Sequence, residues 1–204
     1  MEQNTIPSFM KRILSAPSLV TLLFLLLPTL AQAHTGVGHT DSLSHGFLHP
    51  IGGLDHLLAM LAVGLWAAQL GGRALWAVPT TFVSIMVLGG VLGITGAGLP
   101  FVEQGIVGSV LILGVLIAAA VRLPLAASMG LVGLFALFHG FAHGSEMAAG
   151  SSALSYSMGF VLATSLLHLT GIGLGMIIQK TARPVLVRWA GGAVAVAGLY
   201  LMVG

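Results

Sequence analysis

Apolar residues along this chain fall in long, nearly unbroken runs. They do not show the alternate spacing of a half-buried strand or the three-to-four spacing of an amphipathic helix. Six such runs cover residues 47–69, 74–97, 104–121, 124–143, 154–178 and 185–203. Each approaches the ~20 residues that a helix needs to cross the ~30 Å hydrocarbon layer of a bilayer. The pattern predicts an all-α, polytopic membrane protein with six transmembrane helices over 47–204. Its connections are too short to hold a soluble catalytic or nucleotide-binding domain. An earlier apolar stretch, Leu19 to Leu30, follows Lys11 and Arg12 and runs into Ala31-Gln32-Ala33. A basic start, an apolar centre and a small-residue site are the marks of a cleaved secretory signal peptide over 1–33. Pro17 and Pro28 argue against an uncleaved first helix. The mature chain is then expected to start at His34, with 34–46 as an outer, His-containing tail.

Composition agrees about the solvent. Of the 204 residues, 57% are apolar and 6% charged, against roughly 25% charged in soluble domains, so water cannot be what surrounds most of this surface. The basic residues after the leader, Arg73, Arg122, Lys180, Arg183 and Arg188, all fall at alternate connections, near 73, 122 and 180–188. The opposite connections carry Asp41 and Glu103 and no Lys or Arg. Cytoplasmic loops collect positive charge, so this asymmetry predicts an outside N-terminus, in agreement with the leader. No basic run exists to track a phosphate backbone, which excludes a nucleic-acid partner. There is no Cys, so a metal would be held by His, carboxylate, Met or backbone oxygen. The 29 glycines include the spacings Gly89 to Gly93, Gly140 to Gly144 and Gly171 to Gly175, which allow close helix packing in lipid.

Ionisable side chains inside a span cost several kcal/mol and tend to mark a site or a pathway. Here they concentrate in three of the six runs. The first opens with His49-Pro50-Ile51-Gly52-Gly53-Leu54-Asp55-His56, and the fourth closes with Phe138-His139-Gly140-Phe141-Ala142-His143-Gly144-Ser145-Glu146. His139, His143 and Glu146 share one helical face, at a C-terminal end whose macrodipole favours a cation. Two imidazoles and a carboxylate there make a partial shell for a divalent first-row metal. If the first run is one continuous helix, His49 and His56 share a face at a helix N-terminus. A cation would be repelled there unless Asp55 offset the dipole. Asp55 can also orient an imidazole and fix its tautomer, or act simply as a cap. Met60 reads as filling. In an alternating topology both clusters lie in the outer half of the membrane, while His168 in the fifth run falls ~18 Å deeper at ~1.5 Å rise per residue, either as a pathway midpoint or as a packing hydrogen-bond donor. His34, His39, Asp41 and His45 form either an outer capture segment or a solvated tail.

The motifs HPxxGxDH at 49–56 and FHGxAHGxE at 138–146, with the leader and six short-looped runs, resemble the HupE/UreJ family of nickel and cobalt permeases. The resemblance implies uptake of Ni²⁺, or of Co²⁺ or another divalent ion, across the bacterial cytoplasmic membrane, with no permanently bound cofactor. It marks His49, Asp55, His56, His139, His143 and Glu146 as functional. There is no P-loop, so direct ATP use by this chain is not expected, and a driving partner or a homo-oligomer stays open. A membrane metalloenzyme, which would need a metal with an open position and a general base, and a haem protein with axial histidines are the competing readings.

Overall fold

The computed structural model describes residues 42–147, 152–180 and 184–204. The expected leader, together with His34, His39, Asp41 and Arg183, lies outside the described residues. Within them the chain forms seven helices and no strand: α1 (Ser42–Gly52), α2 (Leu54–Leu70), α3 (Ala74–Ile94), α4 (Val102–Ala118), α5 (Leu125–Ser145), α6 (Ala153–Lys180) and α7 (Pro184–Val203). The all-helical expectation holds, and the apolar runs locate α3 to α7 closely.

Two differences concern the spans. The first run is not one helix. It breaks at Gly53, which is extended at φ −92° and ψ 122°, and α1 and α2 meet at a bend of 80°. Gly52-Gly53 has no side chains to hold a helical turn together, and the Pro50 ring offers no N–H to extend one. The second difference is one of length. Among the described residues four helices are long and apolar enough to cross a membrane, or five if the bent pair counts as one span. The 17 residues of α4 rise ~25 Å at ~1.5 Å per residue, short of the full hydrocarbon layer. In addition, α1 starts at Ser42, so the last residues of the expected tail are part of a helix.

The surface is inside-out relative to a soluble protein. Leu88, Val91, Leu134, Leu162, Leu169, Ile177 and Val196 are exposed, whereas His56, Ser109, Ser128, His139, His143, Thr164 and His168 are buried. Exposed apolar area on this scale is stable only against lipid. Glycines set how closely the helices pack. A Cβ on Gly64 would meet the backbone of His168 and Ile172, and one on Gly175 would meet Ala68. Numbers rise together along both helices, so α2 and α6 run the same way. In the same sense α3 and α5 are parallel, with Gly89 against Leu137 and Gly93 against Ser145. α4 and α7 are antiparallel, with Gly114 against Ala195 and Gly198 against Leu111.

One end of the bundle is closed by donors to the last carbonyls of α4 and the turn after it. Trp66 Nε1 donates to Val121 O at 3.2 Å, Gln69 Nε2 to Ile117 O at 3.1 Å and Arg188 Nε to Ala118 O at 2.8 Å. Val121 O and Ala118 O are thereby given partners beyond the helix end, and Gln69 adds a second donor to Ile117 O, which already accepts the Ala120 N–H. Exposed Trp76 and Trp189 lie beside Arg73 and Arg188, the placement that indole and guanidinium take at a membrane interface. The histidines gather toward the other end.

Candidate metal centre

His49 and His143 each stand in the last turn of their helix, α1 and α5 respectively. Their ring centroids are 4.5 Å apart with planes at 90°. Glu146 follows as the residue that caps α5, and its Oε2 lies 3.8 Å from His49 Nε2. One ligand atom from each of His49, His143 and Glu146 falls within 4.8 Å of the others. Donors held about 2.1 Å from an ion are at most about 4.2 Å apart. The three ligand atoms would therefore share one ion after drawing together by about 0.6 Å or more. The break at Gly53 reverses the electrostatics expected of a continuous first helix. His49 lies at a C-terminal end, so the partial negative charges of two helix termini, α1 and α5, meet at these three residues and favour a cation.

Beneath this group the second pair begins. His56, in the first turn of α2, is 4.4 Å from His143 and 4.8 Å from His139 between ring centroids, and 6.4 Å from His49. The Asp55 carboxylate accepts from both the His56 backbone N–H and ring Nδ1, each at 2.8 Å. A carboxylate has no proton to offer, so Nδ1 of His56 carries the hydrogen and Nε2 the lone pair. His56 Nε2, His139 Nδ1 and both nitrogens of His143 are buried without a hydrogen-bond partner among the described residues. Buried polar atoms left so are costly, and three lone pairs clustered in this state, one each from the rings of His56, His139 and His143, suit a cation, while the other His143 nitrogen carries that ring's hydrogen.

His168 is brought nearer than its position along the helix implied. A single ring, Phe82, spans the gap, 5.6 Å from His139 and 5.1 Å from His168 between centroids. The rise-based depth of ~18 Å overstated the separation, because His139 already lies a turn below His143 and the side chains reach toward each other. Both ring nitrogens of His168 and the Thr164 hydroxyl are buried and lack hydrogen-bond partners among the described residues, so the packing-donor reading of His168 has no acceptor. Met60 is fully buried, as filling requires. His45 is exposed on α1, with its ring 6.2 Å from His49 and 6.0 Å from Tyr156, at the edge of the cluster.

Three residues that sequence reasoning passed over surround the cluster. Phe82 separates His139 from His168, Phe160 packs 3.9 Å from the His143 ring, and Ser109 contacts His139 Nε2 at 3.0 Å. Isolated Phe and Ser residues in apolar runs carry no periodic signal. Only the approach of α4 to α5 singles out Ser109.

The fold and the site together define a class: a multi-pass helical membrane protein with a buried imidazole cluster opening onto a carboxylate at one end. The model of the family described as HupE / UreJ protein matches residues 22–201, and the chain belongs to that family. It is also 50% identical over 184 residues to Protein HupE of Rhizobium leguminosarum bv. viciae, across 90% of this chain and 96% of that protein. No solved structure matches it significantly.

Proposed function

We propose that this protein is a secondary permease or channel that takes up a divalent transition-metal ion, most favourably Ni²⁺ and alternatively Co²⁺, across the cytoplasmic membrane. The observation that carries the reading is the run of histidines from the edge of the bundle into its core. His49, His143 and Glu146 stand at the mouth, His56 and His139 come next, and His168 lies beyond Phe82. Along such a run each site replaces part of the ion's hydration shell, binding strongly enough to admit the ion and weakly enough to release it. Six crossings, a cleaved leader and an outside N-terminus complete the reading. They are supported by the alternating helix directions and by Arg73, Arg122 and Arg188 gathered at the end away from the histidines. The 17-residue α4 crosses in this arrangement with the turns at its ends.

The test is uptake of Ni²⁺ into proteoliposomes, with Co²⁺, Zn²⁺ and Mn²⁺ as competitors. Replacing His56 or His143 with Ala removes an imidazole from the route, so uptake is expected to be nearly lost at every metal concentration while membrane insertion stays normal. Wild-type uptake by both variants would refute the route and leave these residues as packing groups.

A further inference from the structure

α4 carries no ionisable residue in its buried face, yet it touches the metal route through one atom. Ser109 is fully buried, and its Oγ lies 2.6 Å from the Ile106 carbonyl oxygen and 3.0 Å from His139 Nε2. A hydroxyl has one hydrogen. Two oxygens 2.6 Å apart without a hydrogen between them would repel each other through their lone pairs, so the Ser109 hydrogen is committed to Ile106 O. The Oγ can then only accept from His139. It follows that His139 Nε2 carries the ring proton and Nδ1 carries the lone pair. Nδ1 is the ring atom that is buried without a partner among the described residues.

His56 has the opposite arrangement. Its Nδ1–H is held by Asp55 at 2.8 Å, and its lone pair is on Nε2. The two rings, 4.8 Å apart at 89°, thus present different nitrogens, each chosen by an oxygen acceptor on its far side. A carboxylate performs this for His56, and a neutral hydroxyl, itself tied to its own helix, performs it for His139.

We propose that Ser109 is a positioning residue of the ion route, holding His139 in its Nε2–H tautomer so that Nδ1 meets the ion. The tautomer assignment stands on hydrogen-bond geometry alone, and its consequence for the ion rests on the metal reading above. A partner that orients a ligating imidazole is worth ~10–100-fold in metal affinity. The neutral hydroxyl has a further advantage at this depth, because a second buried carboxylate would add a charge far from solvent.

The decisive measurement is nitrogen-15 NMR of the full-length, metal-free protein labelled at histidine, in lipid nanodiscs at about pH 8, where an ordinary imidazole is neutral. The His139 resonances, identified by their loss in His139→Gln, are expected to show a protonated Nε2 and an unprotonated Nδ1. A proton on Nδ1 would overturn the proposal without any variant being made. In Ser109→Ala the tautomers are expected to mix and Ni²⁺ binding, followed by calorimetry, to weaken ~10–100-fold. Ser109→Thr, which keeps the hydroxyl, should restore the single tautomer and most of the affinity. Unchanged affinity in Ser109→Ala would remove the positioning role. A correct tautomer in a wild-type protein that binds no divalent metal would instead refute the metal reading and, with it, the role assigned to Ser109, while leaving the hydrogen bond in place.

Discussion

The histidine-bearing helix α5 is held against α3 by glycine, and this contact sets how far the imidazoles of α5 stand from the rest of the cluster. A Cβ at Gly140, between His139 and His143, would strike the Met86 carbonyl oxygen and lie 2.7 Å from its carbon and 2.9 Å from Gly90 N. Ordinary contact begins near 3.4 Å, so the carbon alone demands ~0.7 Å of separation and the oxygen more, at the scale of shift that overpacking forces. Both partners are backbone, and neither can rotate away. Overpacking of this kind costs about 1–3 kcal/mol, against which alanine returns about 1 kcal/mol of helix propensity. Gly140→Ala should therefore destabilise the protein by up to about 2 kcal/mol net. It should also reduce uptake, because metal–ligand distances are held to about 0.2 Å. Gly130→Ala is the matched control on the same helix. A Cβ there meets nothing within 4 Å, so only the propensity term applies, and stability should stay level or rise by up to about 1 kcal/mol. Thermal unfolding in detergent, paired with Ni²⁺ uptake by both variants, reads the difference. Equal stability of the two variants with uptake intact in Gly140→Ala would refute the view that this helix contact sets the site.

His168→Leu removes two buried ring nitrogens that have no hydrogen-bond partner among the described residues. It should raise stability by about 1–3 kcal/mol and abolish uptake, whereas a destabilised variant with normal uptake would identify His168 as a structural group. Uptake should fall as the outer pH drops through about 7 to 6, since protons compete with the ion for the same imidazole lone pairs and an ordinary His titrates near ~6.5. A flat profile from about pH 8 to 5 would count against His ligation. Asp55→Asn keeps the shape of the His56 partner but removes its charge. It should weaken Ni²⁺ binding by ~10–100-fold with insertion unchanged, and unaltered affinity in a binding titration would reduce Asp55 to a helix cap.

Much of the architecture was legible because lipid leaves long apolar runs in the sequence. The starts and ends of α3, α5 and α7 follow those runs within a few residues, and both histidine motifs were visible as ionisable residues where lipid tolerates few. Less visible was what depends on tertiary approach. His139 and Ser109 meet only because Gly105 in α4 lets the Phe138 ring of α5 lie against its backbone. A serine bonded to a carbonyl three residues back looks the same in sequence whether or not a histidine sits on its other side. The Phe82 ring gave no sign of its place for a similar reason: it is one apolar residue among many in α3 until α5 and α6 bring His139 and His168 to its two sides.

The break at Gly53 shows why the spacing of the first motif matters more than its length. Seven residues separate His49 from His56, which in a straight helix is ~10.5 Å of rise at ~1.5 Å per residue. Two rings so spaced would be drawn out along the helix axis. In the bent pair their centroids lie 4.5 Å and 4.4 Å from His143. The 80° turn folds the two ends of the motif around the C-terminal turn of α5. The same turn places a negative helix end beside His49 and sets Asp55 at the positive end of α2, so each pole of the break is matched to a cation or to the charge that offsets it. A straight helix through 49–56 would have spread the histidines along the membrane normal and left the positive end of a dipole at the mouth. The glycine pair is therefore as much a part of the site as the imidazoles, since it converts a linear motif into convergent ligands.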